Sequence, residues 1–160
     1  MKSVGGILLL LAALLFSFGY ASYEKRKIIE EESLCRFLSL VQNEFLLYSS
    51  PLPKIAEKAD EPILENCGYL QALRKSESAK TAFLQTKDNF SMSEKMLCVF
   101  SEFSEHFGRE DAEEEKKHLS VWTTQAETML AADKEASKSR IRLAKTLSFS
   151  LALGILLLFL

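Results

Sequence analysis

The sequence predicts an all-α protein, a small bundle of about five to six helices flanked by an N-terminal and a C-terminal membrane helix. Three observations predict it. Runs almost free of charge stand at the two ends of the 160 residues, and the middle carries nearly all the Lys, Arg, Asp and Glu. Between the runs, apolar residues recur at three- and four-residue steps, the signature of helices with one buried face. No segment alternates as a strand would, and no Asn-Gly or Asp-Gly hairpin dipeptide occurs. The expected divisions are an N-terminal anchor over 1–22, a cytoplasmic bundle ending in a solvated stalk over 23–140, and a C-terminal membrane helix over 141–160.

The first run extends from Val4 to Ala21. Its length as a helix is about 27 Å, close to the roughly 30 Å of a bilayer's hydrocarbon core. A cleaved signal peptide is the rival reading, since Gly19 and Ala21 could precede a cleavage site. Against it stand the single Lys2 before the run, the run's length, and Lys25-Arg26-Lys27 directly after it. The second run, Thr146 to Leu160, covers about 22 Å on its own. Extension back to Ile141 reaches a span, with Arg142 and Lys145 snorkelling toward the headgroups.

Orientation follows from the flanks. Lys25, Arg26, Lys27, Lys134, Lys138, Arg140, Arg142 and Lys145 face the enclosed segment, against Lys2 outside. The positive-inside rule then puts the middle in the cytoplasm, and Glu24 and Glu30-Glu31-Glu32 do little to offset it. Cys35, Cys67 and Cys98 are odd in number, match no zinc spacing and sit in helical stretches, so they read as reduced, mostly buried thiols.

Within the middle, Leu34, Phe37, Leu38, Val41, Phe45 and Tyr48 share one helix face. Ser49-Ser50-Pro51-Leu52-Pro53 breaks that helix and opens the next, with Ser50 as cap and the prolines in the first turn, where no amide hydrogen is needed. Ile55, Ala56 and Ala59 form its apolar face. Pro62 opens a segment with Ile63, Cys67, Leu70 and Leu73 on one side, and Ser76 or Ser78 caps a short helix carrying Ala79, Ala82 and Phe83. Ser91-Met92-Ser93-Glu94 reads as a capping box, starting a helix that buries Met96, Phe100, Phe103 and Phe107 and stops at Gly108. The last helix begins at Arg109-Glu110-Asp111, shows a stripe of Leu119, Trp122, Ala126 and Met129, and can run on into the membrane. Its stretch from Lys134 to Arg140 has no apolar face except Ala136 and reads as a solvated stalk.

Residues that carry chemistry are scarce. A net charge of -2 argues against nucleic-acid binding. Outside the end runs only Gly68 and Gly108 remain, too few for a phosphate-cradling loop. The histidines are His106 and His118, and no nucleophile motif accompanies them. Glu115-x-x-His118 has the spacing of half a di-iron site, but such sites need two copies and two further glutamates, so it reads as a solvated helix face. The expectation is a protein that is not an enzyme, with no cofactor, metal or small-molecule substrate. Gly108 reads as a helix stop with positive φ, and Asp111 as an acid suited to a helix N-terminus. Glu110, Glu113 and Glu114 are the candidates for a partner surface.

The order of these features, with Ser50-Pro51-Leu52-Pro53 and Gly108-x-x-Asp111 as its most specific parts, resembles the AB protein family of the stage III sporulation operon of endospore-forming bacteria. The resemblance covers the whole length, and makes Pro51, Pro53, Gly108 and Asp111 the family-motif positions. Where the family often has Gln four residues after the Asp, this chain has Glu115. The resemblance implies a soluble domain similar to the helical domains of the inner-membrane platform protein of type II secretion and type IV pilus machines. It also implies a place in the mother-cell membrane facing the forespore. Its implied partners are the membrane, the secretion-type ATPase of the same operon and other channel components. The implied role is a platform that docks the ATPase and couples it to the channel. Read without the resemblance, the residues also allow two alternatives, a generic membrane-anchored helical stalk or adaptor, or an exported helical domain left after signal cleavage.

Overall fold

The computed structural model describes residues 2–76, 78–109 and 111–159, with side chains for 11–12, 14–76, 78–109 and 111–154. The described residues are all-α. They form α1 (Lys2–Tyr48), α2 (Leu52–Lys58), α3 (Pro62–Asn66), α4 (Tyr69–Lys75), α5 (Ala79–Thr86), α6 (Glu94–His106) and α7 (Ala112–Phe159), with a 3-10 turn at Lys87–Asn89. They divide into two compact units, Lys27–Asp133, and Met1–Arg26 with Lys134–Leu160, and α1 and α7 contribute to both. Among the described residues no helix is long and apolar enough to cross a membrane. The expected membrane helices, 1–22 and 141–160, fall in part outside the described side chains.

The Lys27–Asp133 unit is built around aromatic rings. Leu34, Phe37, Leu38 and Val41 of α1 are wholly buried, as are Tyr69, Leu70, Met96, Phe100, Phe103 and Leu119. Phe100 meets Tyr69 edge-on at 4.7 Å, Phe83 at 5.0 Å and Phe90 at 5.5 Å, and Tyr69 meets Phe37 at 5.9 Å. Edge-to-face geometry places the positive rim of one ring on the negative face of the next. Burial pushes the Tyr69 phenol far above its ordinary pKa, so it stays neutral.

Four details of this unit differ from the sequence reading. The segment opened by Pro62 is two helices, because Gly68 takes φ +84° and turns the chain between α3 and α4; Leu64 and Tyr69 are buried there, while Ile63 is only half-buried. Tyr48, expected on the buried face, is exposed. Cys98 is exposed too, and Cys67 sits at the end of α3. Finally, Ser91 and Glu94 do not form a capping box. Helix α6 begins at Glu94 with Ser93 as its cap, the Ser93 hydroxyl accepting from Met96 N at 3.3 Å.

The reason for the last difference lies on α1. The Glu30 carboxylate takes the Ser91 N–H, and Glu31 takes the Ser93 N–H at 2.9 Å. The Ser93 hydroxyl donates to Asp133 of α7 at 2.7 Å. The Ser91 N–H, which a capping box would give to Glu94, is therefore taken by Glu30. Burial lifts the Glu31 carboxyl above its ordinary value and nearby Asp133 adds to this, against the Ser93 hydrogen bonds. A second tie joins α1 to the α2–α3 connection. Arg36 donates to both oxygens of Glu61 at 2.7 and 2.9 Å, and Ser33 donates to the same carboxylate at 2.6 Å. Burial alone would raise the Glu61 pKa, but these donors outweigh it and hold the carboxyl low.

The other unit hides different atoms. Among its described side chains the buried ones are Ser17, Glu24 and Ser137, and none of them is apolar. Leu15, Phe16, Phe18, Leu147 and Phe149 are exposed, Phe149 by 70%. Arg140 Nη1 lies 3.6 Å from Glu24 Oε2. The expected solvated stalk from Lys134 to Arg140 belongs to this unit, and Ser137 is only 4% exposed. A hydroxymethyl side chain is small enough to let two helix backbones approach closely, which polarity alone does not reveal.

Candidate docking site

At one end of the Lys27–Asp133 unit, α1 stops and α7 starts. The stop at Tyr48 is made by Ser49, whose φ of +46° is left-handed and whose N–H returns to Phe45 O at 3.0 Å. The chain then passes the buried Ser50 to Pro51, which occupies the cap position of α2 in extended conformation. Ser50, expected as the cap, does not serve. The Pro51 carbonyl accepts from Lys54 N at 3.0 Å and Ile55 N at 3.2 Å, and Pro53 has no N–H to satisfy.

The start of α7 is organised by Asp111. Its Oδ1 accepts from Glu113 N at 3.1 Å and Glu114 N at 3.0 Å, and its carbonyl accepts from Glu115 N at 2.9 Å. Asp111 is thus an N-cap carboxylate. Gly108 has φ +83°, with open space where a Cβ would stand. Its N–H donates at 3.1 Å to Glu115, whose side chain is buried. Glu115 therefore fastens the α6–α7 turn from inside and contributes nothing to an acidic surface.

These turns meet the α4–α5 connection around a cavity of about 370 Å³. Its lining includes Pro51, Pro53, Ser76, Phe107, Gly108 and Arg109. Phe107 reaches back to the core through Phe103 at 5.3 Å and touches Phe45 at 5.6 Å, so the cavity wall is rigidly backed. The motif positions Pro51, Pro53 and Gly108, far apart in the chain, line this one cavity.

Of the partner candidates, Glu113 and Glu114 are exposed at the start of α7, and Glu110 lies outside the described residues. Each exposed carboxylate has a neighbouring ammonium, Lys116 at 3.0 Å for Glu113 and Lys117 at 2.9 Å for Glu114. Such pairs are solvent-screened and worth little to stability, so a competing partner charge could displace the lysines. The Glu115-x-x-His118 spacing is divided between two tasks, with His118 edge-on to Trp122 at 5.5 Å. Among the described residues no three His, Cys, Asp or Glu side chains gather as a metal site.

The sequence reading missed Glu115 as the internal fastener, although it continues the buried stripe of Leu119, Trp122 and Ala126 at helical spacing. Ser49 carried no comparable signal, because a serine with left-handed φ resembles any other serine before a proline turn.

The fold and site define a class, an all-α protein in which a helical domain with a rigid-walled notch continues into two long helices. The family model described as Stage III sporulation protein AB matches residues 2–160, and the chain belongs to that family, as the resemblance carried by Ser50-Pro51-Leu52-Pro53 and Gly108-x-x-Asp111 implies. It is accordingly a sporulation protein. Comparison with curated proteins and with solved structures gives no match.

Proposed function

We propose that this chain is a membrane platform of a sporulation-specific, secretion-like channel, docking the cytoplasmic ATPase of its operon and coupling it to other channel components. The observation that carries docking is the convergence of Pro51, Pro53 and Gly108 on one notch, in a unit whose last helix opens with the exposed carboxylates of Glu113 and Glu114. Supporting the anchor is the helical pair, which turns Leu15, Phe16, Phe18, Leu147 and Phe149 outward and buries Ser17, Glu24 and Ser137. Hydrocarbon solvates the former, and polar side chains of membrane helices face their partners.

On this reading the membrane is the mother-cell membrane facing the forespore, the Lys27–Asp133 unit is cytoplasmic, and the protein works by binding, not catalysis. It takes no cofactor, metal, nucleic acid or small-molecule substrate. Complementary charge at Glu113 and Glu114 speeds and orients the encounter, while the notch supplies shape. The test is a light-scattering titration of the full chain, in mild detergent, with the ATPase at low and high salt. Binding should weaken with salt and with Glu113→Lys/Glu114→Lys. Binding unmoved by either places the contact on another face, and no binding to the ATPase leaves the generic stalk as the better account.

A further inference from the structure

The helical pair carries a cleft of about 520 Å³ between residues of α1 and α7, within the range of sites that hold small ligands, roughly 300–1,000 Å³. Leu14, Phe18, Phe149 and Ala152 supply its apolar walls, and Lys25 and Lys145 line it as well. With Arg140 beside Glu24 on antiparallel helices, Lys145 stands about 9 Å along the axis from Lys25, level with Gly19, a gap that two long, flexible lysine side chains can close on one phosphate. From Lys25 to Leu14 the helix rises about 16 Å, enough for much of an acyl chain. Both lysines are exposed, and among the described residues neither has an ion-pair partner.

Resting on the membrane reading above, we propose that this cleft is a specific site for one anionic glycerophospholipid, its phosphate between Lys25 and Lys145 and an acyl chain along Leu14, Phe18 and Phe149. Two unneutralised ammonium groups within reach of one phosphate, along an apolar slot, match a molecule with phosphate at one end and hydrocarbon behind it. A second copy of the chain in the same orientation fits the slot poorly, because it brings its own Lys25 and Lys145 to the same level and opposes like charges. A zwitterionic lipid fills the walls but carries a cationic group to the lysines.

The test is native mass spectrometry of the full chain released from phosphatidylcholine nanodiscs containing a minority of phosphatidylglycerol. One phosphatidylglycerol should remain per chain, enriched about ten-fold over its share of the disc. Lys25→Gln/Lys145→Gln should abolish the enrichment while helical circular dichroism stays unchanged. Ala152→Phe, which narrows the cleft and keeps both lysines, should reduce retention of either lipid. Equal retention of the two lipids by the parent chain, undiminished enrichment in the double variant, or release as a lipid-free dimer would each overturn the proposal. Flotation with the same lipids separates the two readings. A chain that stays in the aqueous layer sinks both, whereas one that floats without enrichment sinks the lipid site alone.

Discussion

The two units of this chain bury opposite kinds of atom. The Lys27–Asp133 unit puts Phe37, Tyr69, Phe100 and Phe103 inside, while the helical pair puts Ser17, Glu24 and Ser137 inside and leaves Phe16, Phe18 and Phe149 outside. In water the first arrangement is held by removing apolar surface from solvent. The second buries no apolar side chain among those described, so that drive does not account for it; on the membrane reading proposed above, close backbone approach and paired polar groups take its place. One continuous helix, α1, obeys both rules in different parts of its length.

The largest effect should come from the aromatic core. Phe100→Ala should destabilise the Lys27–Asp133 unit by about 3–5 kcal/mol, whereas Phe149→Ala should cost less than about 0.5 kcal/mol in detergent. Denaturant titrations of the full chain, followed by Trp122 fluorescence, would compare them. Similar costs would break the contrast between the units.

At the notch, Gly108→Val should cost more than about 1 kcal/mol through backbone strain alone, since a Cβ there meets nothing within 4 Å. Gly108→Asn should be milder, because asparagine tolerates the left-handed region. Equal melting temperatures for Val, Asn and the parent would mean the turn is not held as described. Next, Glu115→Ala should cost about 1 kcal/mol by removing the acceptor of the Gly108 N–H, while Glu115→Gln, the residue the resemblance leads one to expect there, should be close to neutral.

Two carboxyls of the same unit, Glu61 and the buried Glu31, should respond to pH in opposite senses. The Glu61 pKa is lowered from 4.5, so its contribution is complete above that value and fades as pH falls through the folded one. Glu61→Gln should therefore weaken the unit at neutral pH and flatten its loss of stability in acid. The Glu31 pKa is raised from 4.5, so the stability it adds is complete below that value and is lost as pH rises through the folded one. Glu31→Gln keeps an acceptor for Ser93 and should stabilise the unit at neutral pH. Parallel pH profiles for the two variants would contradict the assignment. The smallest effect belongs to Ser49→Gly, which relieves a left-handed φ and should change stability by no more than about 1 kcal/mol, in the stabilising direction.

Much of this architecture was legible. The stripes at Leu34–Val41 and Leu119–Ala126 fixed which faces turn inward, and Gly108 with Asp111 announced where one helix ends and another begins. What escaped were acids and serines whose roles depend on distant partners. Glu30 and Glu31 entered the sequence reading only as charges beside the basic flank, whereas in the fold they accept from the N–H groups of Ser91 and Ser93, about sixty residues on. Ser137 stands in a polar run, and polarity alone does not reveal that so small a side chain can be buried. The notch was invisible because its walls come from three turns that local periodicity treats separately.

Ser93 has a consequence for the order of folding. It is joined to Glu31, 62 residues earlier, and to Asp133, 40 residues later. A growing chain can form α6 as a local coil of hydrogen bonds, yet the residue that caps it lacks one of its two anchors until Asp133 has been synthesised. Contacts of such long sequence separation are slow to form, because the intervening chain must lose its freedom before they repay it. The cap of α6 is thus completed by one of the last parts of the domain to be made, and any product ending short of Asp133 leaves the Ser93 hydroxyl without that acceptor.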